Sequence, residues 1–280
     1  MARDTNFYYA FLVLPAEKRR AIVAVWDFCR AVDDAADEAT DHVRAGDVEL
    51  ARWRAELAAC FDGASPATPQ GQQLQPWIRR FHLPRSAFGA LIEGVEMDLA
   101  ARRYATFEDL YQYCIRVASA IGLICVEIFG CEDPASKAYA IDLGVALQLT
   151  NILRDVPGDL ARGRVYIPQA DFASCECTEE DLVRESQRTG SGVQSPAVRR
   201  LLAFQAERAR EYYARAAAIL PARDRRRLVA ARIMGAIYHA ILDRIEAEDY
   251  DVFARVIRIP RPRRALIAAR AWITTMVGGR

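Results

Sequence analysis

Residues 139–159 read YAIDLGVALQLTNILRDVPGD. Apolar side chains recur here at spacings of three and four and cover most of the helix circumference, the pattern of a helix buried at the centre of a bundle. One narrow stripe interrupts them. Gln148, Asn151, Asp155 and Asp159 step by three, four and four, so they share one side of the helix. Leu147, Leu149, Ile152 and Leu153 surround that stripe. An uncompensated polar group in an apolar interior is costly, so the stripe needs a chemical reason. Pro157 removes a backbone donor and disfavours helical geometry at Val156. The helix is therefore expected to bend or end near Asp155, leaving Asp159 on a looser turn.

Outward from this stretch, residues 17–38, 46–62, 84–102, 106–130, 134–156, 197–220 and 222–249 carry the same periodicity. Alternating strand patterns are nearly absent. Breaks fall at Gly63–Pro76, Asp159–Pro168 and Thr189–Pro196, none long enough to separate two domains. The expectation is an all-α bundle forming one domain over residues 1–280, a length ample for a real core.

A second acidic cluster, Asp33, Asp34 and Asp37, follows Arg30 in the helix predicted over 17–38. Asp33 and Asp37 are four apart, and Arg30 stands one turn earlier. Oxygen donors without His or Cys suit a hard cation such as Mg²⁺, with Mn²⁺ as a substitute. Two carboxylate stripes facing each other across a bundle would hold several such ions, and the ions would bind a diphosphate. The bland reading is that each cluster is a solvated helix face. Other chemistries fail on counting. The three histidines, at 42, 82 and 239, form no Glu-x-x-His pair for a di-iron bundle. Lys18 and Lys137 follow Glu17 and Ser136, so there is no P-loop, and no Gly-x-Gly-x-x-Gly follows a strand.

With 38 basic and 37 acidic residues the net charge is +1, which argues against nucleic-acid binding. Lys occurs only at 18 and 137, so 36 of the basic residues are Arg. The seven scattered cysteines suit reduced thiols in the cytoplasm, and Cys175 with Cys177 is a weak metal signal. The apolar residues 7–16 precede Lys18, Arg19 and Arg20, the reverse of a secretory leader. The run Val117 to Val126 is about half the length of a membrane span.

The words Phe7-Tyr-Tyr-Ala-Phe11, Leu14-Pro15, Phe28-Cys-Arg-Ala-Val-Asp-Asp-Ala-Ala-Asp37, Tyr113-Cys114, Val117-Ala118 with Gly122, Gln148 to Asp159, and Arg162-Gly-Arg-Val-Tyr-Ile-Pro168 resemble the squalene/phytoene synthases from about residue 4 to 258. These are head-to-head prenyltransferases, and the wording is most similar to the bacterial presqualene diphosphate synthases of hopanoid biosynthesis. The resemblance implies an isoprenoid-synthase helical bundle around a central apolar cavity. It implies Mg²⁺-dependent condensation of two farnesyl diphosphates to presqualene diphosphate, with no NADPH. Phytoene formation from geranylgeranyl diphosphate and squalene or hydroxysqualene formation are the alternatives within the family; a non-catalytic helical assembly protein is the alternative outside it.

By the same resemblance, Asp33, Asp37, Asn151, Asp155 and Asp159 are metal-side residues. Arg30, Gln148, Arg154, Tyr238 and Arg255 hold diphosphate or order the site, and Tyr113 and Tyr166 sit by the reacting carbons. Asn6 replaces a Ser usual in the family and still offers a donor to phosphate. Trp26, Ile115 and Ser119 also depart from the family's pattern and bear on chain-length selectivity. A carbocation mechanism needs dry walls. Val117, Ala118, Ile121, Gly122 and Cys125 on one helix, with Gly144, Val145 and Leu149 on another, supply them. Their small size either leaves room for long chains or lets helices approach. Phe7, Phe11, Tyr113 and Tyr166 offer ring faces to a cation. The Arg-rich segment 255–270, with Leu266, Ile267, Trp272 and Ile273, either packs on the bundle or rests on the inner face of a membrane. Oligomeric state is not legible.

Overall fold

Helix follows helix along the chain, and the described residues contain no strand. The computed structural model describes residues 7–38, 43–100, 103–188 and 193–277, with 36–38 and 43–45 described by backbone alone. The first helices are α1 (Phe7–Leu12), α2 (Ala16–Glu38), α3 (Val43–Asp62), α4 (Pro69–Phe81) and α5 (Arg85–Leu99). Then come α6 (Phe107–Cys114), a wider π-helical turn over Ile115–Ser119, α7 (Ala120–Phe129) and α8 (Ala135–Ala161). The chain continues with α9 (Gln169–Ser174), α10 (Glu179–Ser186), α11 (Pro196–Ile219), α12 (Val229–Ala247) and α13 (Arg261–Val277). The architecture is the expected all-α bundle.

α8 occupies the centre. α11 runs along one side of it, the π turn and α7 along another, and α12 and α6 cover the remainder. Leu143, Val145, Ala146, Leu149, Ile152 and Leu153 are among its buried apolar side chains. Two glycines let the neighbours come close. A Cβ on Gly144 would stand 2.7 Å from Ser119 Cα, and one on Gly122 would stand 2.9 Å from the Ala140 carbonyl oxygen. The buried Ser119 hydroxyl fixes the same contact, donating to the Ile141 carbonyl at 2.8 Å. These small residues therefore serve helix approach first.

Pro157 does not end α8, which runs on through Asp159 to Ala161. The expected bend is wrong for a tertiary reason. Gly163, at φ +72°, turns the chain back, its N–H donating to the Leu160 carbonyl at 3.0 Å, while the Arg164 N–H donates to the Asp159 carbonyl at 2.9 Å. Val156 and Val165 are buried there. Packing and a capped end outweigh the local preference at Val156.

The break expected at Gly63–Pro76 is also half wrong, because α4 begins inside it. Pro69 takes the first helical position, where its missing donor costs nothing. The Gly71 N–H donates to the Thr68 hydroxyl at 3.0 Å. Glu56 secures the approach, accepting from the backbone of Ala67 and Thr68 at 2.9 and 2.8 Å. α12 starts at Val229, later than expected, because the preceding turn is stitched elsewhere. Buried Asp224 there accepts from the backbone N–H groups of Glu132 and Asp133 at 2.8 and 2.7 Å and from the Ser136 hydroxyl at 2.8 Å.

The helix expected over 106–130 is present but rewound at Ile115–Ser119, and wide turns of this kind often mark functional sites. Residues 107–129 have the length and composition of a membrane-crossing helix, with an 18-residue window at mean hydropathy 1.5. Here the stretch packs against α5 and α8.

Candidate active site

The inner sides of α1, α2, α5 to α8 and α12, with the loop after α8, enclose a cavity of about 570 Å³. On α2 the inward positions include Cys29 and Asp33, one full turn apart. Asp33 lines the cavity while remaining exposed. Across from it, α8 presents Gln148, Asn151, Arg154, Asp155 and Asp159. Much of the wall is apolar, with Phe7 and Phe11 of α1 and Val117, Ala118 and Gly122 among its members. The Phe7 ring packs at a tilt against Trp26, with centroids 4.1 Å apart, and against Tyr238 at 6.5 Å, and both of these also line the cavity.

The polar side is electrostatically crowded. Burial pushes the Asp159 carboxyl up to about 7, and the charge of Asp155 adds to this against the opposing pull of Arg162 and Arg164. Arg154 folds onto its neighbour, Nε donating to Asp155 Oδ1 at 2.8 Å and a second N–H to Oδ2. Burial works against its charge, but the bonds to Asp155 prevail and raise its pKa. The Asn151 Oδ1 oxygen is buried without a hydrogen-bond partner.

Close to Asp159, whose carboxyl the charge of Asp98 also raises, stand three tyrosines and an aspartate. The Tyr113 hydroxyl donates to Asp98 Oδ2 at 2.9 Å, and the Tyr166 hydroxyl donates to Asp98 Oδ1 at 2.7 Å. The two rings stack at 5.0 Å, with Tyr104 stacked on Tyr166 at 6.2 Å. Burial, with the charge of Asp98, holds both phenols well above the usual tyrosine range. They are neutral donors near neutral pH.

A model of one protein family, squalene/phytoene synthase, matches residues 1–265. The chain belongs to the squalene/phytoene synthase family. Among curated members, the 15-cis-phytoene synthase of Synechococcus elongatus is 36% identical over 92% of this chain and 85% of that protein. The presqualene diphosphate synthase of Rhodopseudomonas palustris is 38% identical over 89% of this chain and 86% of its own length. Among solved structures, a dehydrosqualene synthase in complex with ligand superposes with TM-score 0.85 at 25% identity, covering 98% of this chain and 93% of that one. The squalene synthase HpnC from Alicyclobacillus acidocaldarius gives TM-score 0.74 at 31% identity, covering 88% and 89%. The fold is the isoprenoid-synthase helical bundle, and the family's members are head-to-head prenyltransferases acting on prenyl diphosphates.

Enzymes of this family are generally dependent on divalent metal. The residues present fit one. Asp33, Asn151, Asp155 and Asp159 offer oxygen only, the Asn151 oxygen lacks a partner, and Asp159 is held in a carboxylate-rich site that a cation would relieve. Among the described residues no three His, Cys, Asp or Glu side chains cluster tightly enough to hold a metal alone.

Most sequence-predicted residues meet in the one cavity, and some do not. Asn6 and the Asp37 side chain lie outside the described residues. Arg30 faces away: it is exposed and lies 3.5 Å from Asp34, because Cys29, four residues before Asp33, occupies the inward position. Arg255 is likewise absent from the cavity lining, exposed and paired with Glu248. The arginines that do line the cavity are Arg154, Arg162 and Arg164. Sequence reasoning quoted the last two only as part of a motif. It missed Asp98 altogether, although an Asp in the last turn of α5 opposes the helix dipole, which is a legible anomaly.

Proposed function

We propose that the protein condenses two farnesyl diphosphates head to head into presqualene diphosphate, releasing diphosphate and a proton. The observation carrying this reading is one cavity that combines an oxygen-donor and arginine face with long apolar walls. Bound Mg²⁺ would neutralise the diphosphate and stabilise it as a leaving group. Asp33, Asn151, Asp155 and Asp159 are the residues to hold it. Arg154, Arg162 and Arg164 complement the charge that builds on the departing oxygens. The allylic C–O bond breaks, and the electron pair leaves with the diphosphate. The apolar wall keeps water from the cation. The rings of Phe7, Phe11, Tyr113 and Tyr166 present electron-rich faces to it. The double bond of the second molecule attacks, and loss of a proton closes the cyclopropane. Both phenols already donate to Asp98, so they are poor bases; the released diphosphate takes the proton.

The phytoene synthases among the relatives favour a second reading within the same chemistry, two geranylgeranyl diphosphates giving phytoene. Purified protein with Mg²⁺ and each substrate, without NADPH, separates the two. A thirty-carbon cyclopropyl diphosphate from farnesyl diphosphate is the expected product. Phytoene from the C20 substrate alone establishes the second reading, and no turnover of either refutes both.

A further inference from the structure

From Val252 to Arg280 the sequence carries seven arginines and not one acidic residue, in a chain whose total charge is balanced. Most of this run is α13. One face of α13 packs on α12 and α1, burying Arg264, Ala268 and Thr275. The opposite face carries Arg263, Leu266, Arg270, Ile273 and Val277, at alternating steps of three and four, so they form one stripe along the helix. All five are exposed, with Leu266 at 69%, Ile273 at 52% and Val277 at 73%. Trp272, 43% exposed, lies about 100° round the helix from Ile273, on the side toward the packed face. Among the described residues no ion pair holds Arg263 or Arg270, whereas the arginines of α11 and α12 are largely paired with carboxylates.

We infer that this stripe of α13 docks the protein on an anionic lipid surface. An amphipathic helix with aliphatic and Trp side chains between arginines, lying flat on the body of the protein, is matched to the boundary between headgroups and acyl chains. The complementary charge must come from the other partner, because the segment supplies no carboxylate. A second copy of this chain is a poor occupant, since a two-fold contact would oppose arginine to arginine. The location adds a reason. α1 gives Phe7 and Phe11 to the cavity and packs against α13, where the Tyr9 hydroxyl donates to the Arg261 carbonyl at 3.4 Å and the Arg264 guanidinium lies 5.9 Å from the Tyr9 ring. The docking face is thus one short helix away from an apolar cavity. This inference stands on the surface alone and does not depend on which prenyl diphosphate reacts.

The test is flotation of the full chain with vesicles of equal parts phosphatidylcholine and phosphatidylglycerol, against phosphatidylcholine alone. Binding is expected only with the anionic lipid, and it falls in 1 M salt, where the screening length shrinks to about 3 Å. Arg263→Gln with Arg270→Gln should weaken it more than tenfold, taking about fivefold for each arginine near the surface. Leu266→Ser with Ile273→Ser should abolish it while leaving the thermal midpoint and the turnover of dispersed substrate unchanged. Val48→Ser with Arg52→Gln, an exposed pair on α3, should bind as the wild type does. Equal binding to both vesicles, no binding to either, or loss of binding in the α3 control overturns the inference.

Discussion

Gly144 and Gly158 lie on the same helix and should respond to alanine with opposite signs. An alanine Cβ at Gly144 would stand 2.7 Å from Ser119 Cα and 2.8 Å from Ser119 N. Ordinary contact begins near 3.4 Å, so the π turn and α8 would have to part by about 0.7 Å. Both obstructing atoms are backbone and cannot rotate away. Glycine to alanine in a helix interior contributes about 1 kcal/mol of stability from propensity. Overpacking a tight contact costs about 1–3 kcal/mol. Because the obstacle is backbone, the upper end of that range applies, and the net at Gly144 is a loss of about 2 kcal/mol, or roughly 4–8 °C in thermal midpoint at the 2–4 °C per kcal/mol of larger domains. A Cβ at Gly158 meets nothing within 4 Å, so only the propensity gain of up to about 1 kcal/mol remains there. Thermal unfolding of the two single variants, followed by circular dichroism at about 222 nm, which reports helical backbone order, reads the difference directly. If Gly144→Ala is as stable as the wild type, the close approach of the π turn to α8 is not what fixes the cavity wall.

Asp98→Leu should leave the Tyr113 and Tyr166 hydroxyls without their shared acceptor, costing about 1–3 kcal/mol for each buried donor and lowering kcat more than it raises KM; stability and turnover identical to the wild type would refute the arrangement. Asp159 has a folded-state pKa raised from 3.8 to about 7, so its penalty is absent below the unfolded value, grows as pH rises from about 4 to 7, and is complete above it. Without metal, the wild type should therefore gain stability relative to Asp159→Asn as pH falls from 8 to 5 (a window of about three units), and parallel midpoint curves would contradict this. Addition of Mg²⁺ should raise the wild-type midpoint and a chelator reverse it, by about 2.7 kcal/mol at a hundredfold excess over Kd. Asp155→Ala should lose that shift while retaining its helical signal; a full shift in the variant would remove Asp155 from the metal site.

The bundle was legible because its decisive signal is local and periodic. The polar stripe on α8 needs only the spacing of Gln148, Asn151, Asp155 and Asp159 and the apolar residues between them, and all four line the cavity. Ends and breaks were less legible because neighbours decide them. At Pro157 the local penalty is real, yet the turn at Gly163 and the buried Val156 and Val165 carry the helix past it. At Thr68 and Pro69 the order of residues decides: a cap residue followed by proline starts a helix even within a stretch rich in proline and glycine.

The site was legible where one helix writes it and obscure where separate segments share it. Arg30 and Cys29 are adjacent, and a helix turns 100° between them; that rotation alone sends one toward Asp34 and solvent and the other into the cavity. Spacing to Asp33 could not choose, since steps of three and four both return to roughly the same side. Asp98, Tyr113 and Tyr166 come from the end of α5, the end of α6 and the loop after α8, and no periodicity links them. What unites them is a backbone joint, the Gln169 N–H donating to the Tyr104 carbonyl at 2.8 Å and Ala170 to Ala105 at 3.1 Å. That joint lays the loop carrying Tyr166 beside Tyr104 and Tyr113, and the aspartate at the unfavourable end of α5 is tolerated because two phenols donate to it. A residue that opposes its own helix dipole is thus a sign, readable in advance, of a partner arriving from elsewhere in the chain.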